Sequence, residues 1–118
     1  MSMLELGDTI RVNEHVCVIA SDPKQNAQEV LLVAFTTLEP YKDDTCLIEA
    51  GEHPRISHQS CIAYDFFDYP LFELSCLLKF QKCEPVSSEL LKRILEGADT
   101  TKRINTRAWV VLNDQGLV

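Results

Sequence analysis

The chain has 118 residues, 46% hydrophobic and 25% charged, which is typical of a folded globular protein and argues against disorder. Its length predicts one domain, 1–118, and no apolar run approaches the roughly 18 residues of a membrane span. The formal charge of −7 counts against non-specific nucleic-acid binding. The N-terminal stretch lacks the basic and apolar regions of a signal peptide, which predicts a cytoplasmic protein without membrane association.

The charge is distributed unevenly along the chain. Residues 1–78 carry 4 basic and 13 acidic groups, a net charge of −9, whereas residues 79–118 carry 7 basic and 5 acidic groups, a net charge of +2. A polyanion would therefore have to meet the C-terminal third of the chain or a few focused cations.

Five strand patterns, separated by turns, occupy about the first 66 residues. They are 8–12, 15–21, 29–37, 45–49 and 60–66. The third is apolar on both faces and predicts the most buried strand. Because no helical pattern intervenes, the segment predicts a mainly β fold, a small antiparallel barrel or curled sheet.

After residue 70 the pattern becomes helical, and we take 72–97 as the helical region. Residues 72–80 are ambiguous between helix and strand. The apolar stripe of 85–97 predicts a helix that Ser87 or Ser88 caps and Gly97 ends. Residues 104–112 can form a closing strand or a helix, and their Trp-Val-Val run favours strand.

Five cysteines make an odd number and contain no Cys-x-x-Cys pair. They are Cys17, Cys46, Cys61, Cys76 and Cys83. Without an export signal, they are interpreted as reduced thiols, most of them buried in apolar runs.

The segment "GEHPRISHQS" (51–60) holds two of the three histidines, His53 and His58, with Arg55 between them. Cleavage of RNA through its own 2′-hydroxyl needs a base, an acid and a cation for the phosphorane charge. Histidine suits the first two roles and arginine the third. The alternatives are that these histidines are structural and that the His-Pro pair shapes a turn.

Three further residues are candidates for the same site because they stand at strand ends. His15 begins the second strand pattern, and Thr36 and Thr37 end the third, where their hydroxyls can donate hydrogen bonds to phosphate. A metal site is the competing hypothesis, with the three histidines as zinc ligands and Cys46 or Cys61 adding a thiolate. The spacing His53-x₄-His58 supports it weakly, so no metal or other cofactor is predicted.

Residues for holding an RNA strand are sought among aromatic and basic side chains. Tyr64 opens the aromatic stretch "YDFFDYP" (64–70), which can stack unpaired bases if exposed and is core if buried. Five of the seven basic residues of the C-terminal third form a cluster that can follow an RNA backbone or form a solvated face. These are Lys92, Arg93, Lys102, Arg103 and Arg107.

In order along the chain, "GDTIRV", "HVCVIASDP", "VLLVAFTT" and "GEHPRISHQSCIAY" resemble the MazF/PemK-like toxins. The likeness covers about the first 66 residues and is greatest to a divergent branch with a "GDHPFI-x-H-x-S-x-V-x-Y" motif. This chain matches that motif at Gly51, His53, Pro54, Ile56, His58, Ser60, Ile62 and Tyr64. It departs from the family at His15, which stands where an arginine is usual.

The resemblance implies an SH3-like barrel, usually a homodimer, that cleaves single-stranded RNA without a metal and is paired with an antitoxin protein. It places the family's charge-stabilising arginine on His15 and its strand-ending threonine on Thr36 or Thr37. The hypothesis is therefore a toxin endoribonuclease in which His53 or His58 acts as base and acid and Arg55 neutralises phosphate. The alternative is an inactive barrel of the same type that binds a protein or an RNA.

Overall fold

The computed structural model describes residues 3–118, whose strands form one seven-stranded antiparallel sheet accompanied by three helices. The strands are β1 Thr9–Val12, β2 His15–Ile19, β3 Val30–Thr37, β4 Leu47–Ile48, β5 Ser60–Ala63, β6 Leu71–Phe72 and β7 Gln81–Cys83. The helices are α1 Leu74–Leu77, α2 Ser88–Thr100 and α3 Thr106–Asp114. The mainly β, antiparallel fold with a C-terminal helix is thus confirmed.

The strand order is β4-β5-β3-β2-β1-β7, and β6 also pairs with β3. Strand β3 lies inside the sheet, and its first six residues are buried. Alternate side chains enter two separate hydrophobic clusters, because successive side chains of a strand point to opposite faces. The larger cluster, which includes residues of α2 and α3, contains Leu31, Val33 and Phe35. The smaller cluster, beside α1, contains Val30, Leu32 and Ala34. The prediction that this strand is apolar on both faces is confirmed.

Helix α2 begins where the sequence predicts it. The Ser87 hydroxyl accepts a hydrogen bond from the backbone N–H of Leu90 at 3.0 Å, which satisfies one of the free donors of the first turn. The prediction that Gly97 ends the helix is wrong, because α2 continues to Thr100. This glycine serves packing instead, since a Cβ there would lie 2.2 Å from the Tyr64 hydroxyl oxygen.

The C-terminal segment 104–112 is not a strand, as its Trp-Val-Val run had favoured, but contains most of α3. The Asn105 side chain accepts a hydrogen bond from the backbone N–H of Ala108 at 3.1 Å and so caps the helix. Ala108, Val111 and Leu112 then fall on one face and are buried in the larger cluster. Helical spacing of buried residues outweighs the β propensity of the run.

The ambiguous segment 72–80 divides between two kinds of structure. It begins in β6, continues as the single-turn helix α1 and leads into β7, which pairs with β1 and was not predicted. Within residues 3–118 no helix combines the length and the apolarity needed to span a membrane.

Candidate functional site

Three strand ends meet at one edge of the sheet. Strand β2 begins at His15, its antiparallel neighbour β3 ends at Thr37, and β5 begins at Ser60, which pairs with Thr37. An open cavity of about 380 Å³ lies at this edge and is called the edge cavity below. Its lining includes His15, Thr36, Thr37, Lys42, Arg55 and His58. Five of the six predicted catalytic residues are therefore gathered in one place.

His58 is exposed in the edge cavity and is held there by two hydroxyl groups. Its Nε2 lies 2.8 Å from Oγ1 of Thr37, and its Nδ1 lies 3.3 Å from Oγ of Ser57. A hydroxyl can donate or accept, so either ring nitrogen can carry the proton. The imidazole is thus oriented by β3 while remaining accessible for proton exchange with a ligand.

Lys42 is a cation of the edge cavity that sequence reasoning missed. Its Nζ donates a hydrogen bond to Oγ1 of Thr36 at 2.5 Å and lies 3.5 Å from Oε1 of Glu39. Lys42 belongs to the polar connection after β3, where no motif marks it. The connection after β3 returns the ammonium group to the hydroxyl of Thr36, six residues earlier in the chain, and so places it at the cavity.

Arg55 supplies the second cation. Its Nε donates to Oε1 of Glu84 at 3.0 Å, and its side chain remains exposed at the cavity wall. A hydrogen bond from its own backbone N–H, and then the one from Arg55, hold the pKa of Glu84 below its usual value. The pair is therefore ionised at neutral pH, with part of the guanidinium left to meet an anion.

His53 belongs to the same segment as Arg55 but does not line the edge cavity. Its side chain is buried, with 1% of its surface exposed. Its Nε2 lies 2.7 Å from the carbonyl oxygen of Glu84, and its Nδ1 accepts a hydrogen bond from the backbone N–H of Arg55 at 3.1 Å. The ring also packs against Phe35, with centroids 5.3 Å apart. Both nitrogens are thus engaged with the chain's own backbone, which is the arrangement of a structural histidine.

His15 lines the edge cavity and contacts an aromatic residue. Its ring centroid lies 4.5 Å from that of Phe66, with the two planes tilted by 52°. The side chain is half-buried, and its backbone is held by the β1–β2 hairpin, in which His15 pairs with Val12. The ring is therefore fixed at the cavity by packing.

Tyr64 was predicted to contact RNA, and the structure contradicts this. The residue is 1% exposed, and its hydroxyl donates a hydrogen bond to the carbonyl oxygen of Ile94 at 2.7 Å. Burial raises its pKa. The β5 register turns this side chain toward α2, so Tyr64 joins strand and helix and has no free face for a base.

The basic residues of the C-terminal third do not join the edge cavity, and most are engaged elsewhere. Arg93 pairs with Glu52, Arg107 forms two hydrogen bonds of 2.9 and 2.6 Å with Glu29, and Arg103 donates to the carbonyl oxygen of Tyr41 at 3.1 Å. Lys92 and Lys102 are exposed. These contacts fasten α2 and α3 to the rest of the chain.

Asp43 fastens the loop that carries Lys42. Its carboxylate accepts hydrogen bonds from the Thr101 hydroxyl at 2.5 Å and from the backbone N–H of Thr45 at 3.0 Å. Burial raises the pKa of Asp43, but the hydrogen bonds from Thr101 and Thr45 outweigh burial and hold the pKa below its usual value. The loop is thus tied to the C-terminal end of α2.

We expect Asp43→Asn to lower the free energy of unfolding at pH 7 by about 1 kcal/mol, because the amide replaces a charged acceptor. A depressed folded-state pKa means that the unfolded chain binds the proton more tightly, so this contribution is present above the unfolded pKa of about 3.9 and is lost as pH falls through the folded pKa. Urea unfolding of both proteins from pH 7 downward checks this. A difference that stays constant into acid would contradict it.

None of the five cysteines lines the edge cavity. All five thiols are free, four of them buried, and burial raises the pKa of Cys17 to about 12. Among residues 3–118, no group of three or more His, Cys, Asp or Glu side chains is placed to hold a metal ion. Of the three histidines, His15 and His58 line the edge cavity, whereas His53 is buried outside its lining.

The chain has no significant match among protein-family models, curated proteins or solved structures. The edge cavity itself offers an accessible imidazole, a hydroxyl that orients it, and two cations.

Proposed function

We propose that the chain is an endoribonuclease that cleaves single-stranded RNA by attack of the ribose 2′-hydroxyl and needs no metal ion. One observation carries the proposal. His58, hydrogen-bonded to Thr37 at 2.8 Å, shares the edge cavity with the cations of Lys42 and Arg55. A proton-transfer group beside two positive charges is the combination that this reaction needs.

In this mechanism His58 acts as the base. Its unprotonated nitrogen takes the proton of the 2′-hydroxyl, and the 2′-oxygen forms a bond to phosphorus. Lys42 and Arg55 stabilise the negative charge that develops on the phosphorane oxygens. The bond to the 5′-oxygen then breaks, with His15 as the acid that protonates it. The products are a 2′,3′-cyclic phosphate and a 5′-hydroxyl end.

The resemblance of the first 66 residues extends the proposal. It implies that the sheet is an SH3-like barrel of the MazF/PemK-like toxin type. It also implies that the protein is a cytoplasmic homodimer that an antitoxin protein inhibits. The seven-stranded antiparallel sheet followed by a C-terminal helix is compatible with that assignment. The strand-ending threonine that the resemblance implies is Thr36 or Thr37, and Thr37 is the hydrogen-bond partner of His58.

A second candidate function is a binding module without catalysis. It is favoured by the charge balance of the edge cavity, where Glu39 contacts Lys42, Glu84 pairs with Arg55, and Glu14 also lines the wall. These carboxylates compete with a phosphate for both cations. In this alternative the cavity binds a protein or an RNA and catalyses no proton transfer.

Cleavage of a mixed single-stranded RNA by the purified protein in EDTA, resolved on a sequencing gel, tests the proposal. We expect discrete cuts whose 5′ fragments end in a 2′,3′-cyclic phosphate. Intact RNA at a large molar excess of protein would reject the nuclease and favour the binding module.

Lys42→Gln should slow this cleavage by about 10²-fold, because one of two charges facing the transition state is removed. The matched control is Lys92→Gln, which removes an exposed lysine of α2 outside the edge cavity. We expect the control to cleave at the wild-type rate in single-turnover assays. Equal losses in both variants would mean that overall charge, and not the position of Lys42, determines the rate.

A further inference from the structure

An exposed aromatic ring stands beside the edge cavity. Phe66 is 39% exposed, and its centroid lies 4.5 Å from the ring of His15, which lines the cavity. An exposed phenylalanine is unfavourable in water, and its body offers an apolar face that a planar group can cover. The ring therefore provides a contact surface directly next to the proposed phosphate site.

Phe66 is held in place by other rings. It meets Phe67 edge-on at 4.9 Å, and Phe67 meets Phe72 edge-on at 5.3 Å. Phe72 is part of β6, and both Phe67 and Phe72 pack on the smaller hydrophobic cluster. This line of rings runs from the core to the cavity, so little conformational entropy is lost when a ligand stacks on its last member.

The charges around Phe66 restrict what can bind there. Its neighbours Asp65 and Asp68 are exposed carboxylates, which repel phosphate groups. The cations, Lys42 and Arg55, lie in the edge cavity. The surface is thus suited to an uncharged planar group whose attached phosphate is directed into the cavity.

We infer that Phe66 is the stacking platform for one unpaired base of the RNA, the base adjacent to the phosphate held in the edge cavity. The inference rests on the proposed function, since that places the phosphate. It assigns to Phe66 the base contact that Tyr64, buried against α2, cannot make. It also explains a preference for single strands, because a base paired in a duplex has no free face.

Binding of non-cleavable oligonucleotides tests the inference without cleavage. The probes are 2′-O-methyl RNA octamers of A, C, G and U, and an abasic octamer with the same phosphates. Wild type should bind the best octamer about 10- to 100-fold more tightly than the abasic one, the range expected for stacking of one base. Phe66→Ala should reduce this ratio to near 1, whereas Phe66→Trp should retain it.

Tyr69→Ala is the matched control, because Tyr69 is 56% exposed in the same stretch, whereas the ring that packs on His15 at the cavity is that of Phe66. It should keep the wild-type ratio. His15→Ala separates stacking from displacement of the neighbouring histidine: it should slow cleavage and leave the ratio above 1. A Phe66→Ala protein that still distinguishes the octamers from the abasic probe overturns the inference.

The two proposals fail in different ways. If wild type cleaves RNA but Phe66→Ala does not change the binding ratio, the nuclease proposal is retained and the stacking role of Phe66 is rejected. A Phe66-dependent ratio without cleavage supports the platform and rejects the nuclease. Absence of binding to every octamer overturns the platform and points to a protein as the partner of this surface.

Discussion

His58→Ala is expected to lose about 10²- to 10⁴-fold in the rate of RNA cleavage while its free energy of unfolding changes by less than about 0.5 kcal/mol. The imidazole is exposed, and its partners are the hydroxyls of Thr37 and Ser57, which water can satisfy once the ring is removed. Single-turnover cleavage and urea unfolding of the same preparation measure both quantities. A variant that cleaves at the wild-type rate would exclude His58 as the base.

His53→Ala is the matched control and should behave in the opposite way. Its ring is 1% exposed and bridges the Glu84 carbonyl and the Arg55 backbone N–H. Truncation leaves a small cavity and two polar groups without partners, so we expect a loss of about 3 kcal/mol in the free energy of unfolding. Under conditions where it is folded, it should cleave far better than His58→Ala. A His53→Ala protein that is as stable as wild type but inactive would contradict the structural role of His53 and the catalytic role of His58.

Gly97→Ala is expected to lower the free energy of unfolding by about 2–3 kcal/mol, although alanine is favoured over glycine in a helix by about 1 kcal/mol. The new Cβ would lie 2.2 Å from the Tyr64 hydroxyl oxygen and 3.2 Å from Cβ of Cys46. Either the helix moves away from β5 or Tyr64 gives up its hydrogen bond to Ile94. Thermal unfolding should show a lower Tm, and an unchanged or higher Tm would mean that the contact is not tight.

The double variant Gly97→Ala with Tyr64→Phe identifies the cause. Removing the hydroxyl oxygen eliminates the shortest contact and leaves the nearest at 3.2 Å. We therefore expect the double variant to be at least about 1 kcal/mol more stable than the sum of the single effects predicts. Additive effects would show that the loss comes from the helix itself and not from the approach of Tyr64.

If the proposed function is correct, the two cations of the edge cavity are what allow a chain with a net charge of −7 to bind a polyanion. These two cations contact at most one or two phosphates, so the binding of single strands should depend weakly on salt, with a slope of about −1.4 in log K against log salt for two phosphates. Most of the remaining affinity would then come from the base on Phe66. This division suits a site that acts at one phosphate and does not follow a long backbone.

Local sequence determined most of the strands and the start of α2. Alternating or continuous apolar runs predict β1, β2, β3 and β5 because side chains of a strand face the core at a period of two. The Ser87 cap predicts the helix start, since its hydroxyl satisfies a neighbouring backbone donor. The same sequence marked the 51–60 loop and the ends of β2 and β3 as candidates for the site.

Tertiary structure alone decided what the candidates do. His53 and His58 belong to the same short segment, yet His53 is buried against Phe35 and the carbonyl oxygen of Glu84, whereas His58 is exposed. Lys42 lines the edge cavity because the connection after β3 returns its ammonium group to Thr36, and Phe66 lies beside the cavity through its contact with His15, which is distant along the chain. Helix α3 formed where a strand was favoured, because the face presented to the core, and not intrinsic propensity, gives the larger free energy.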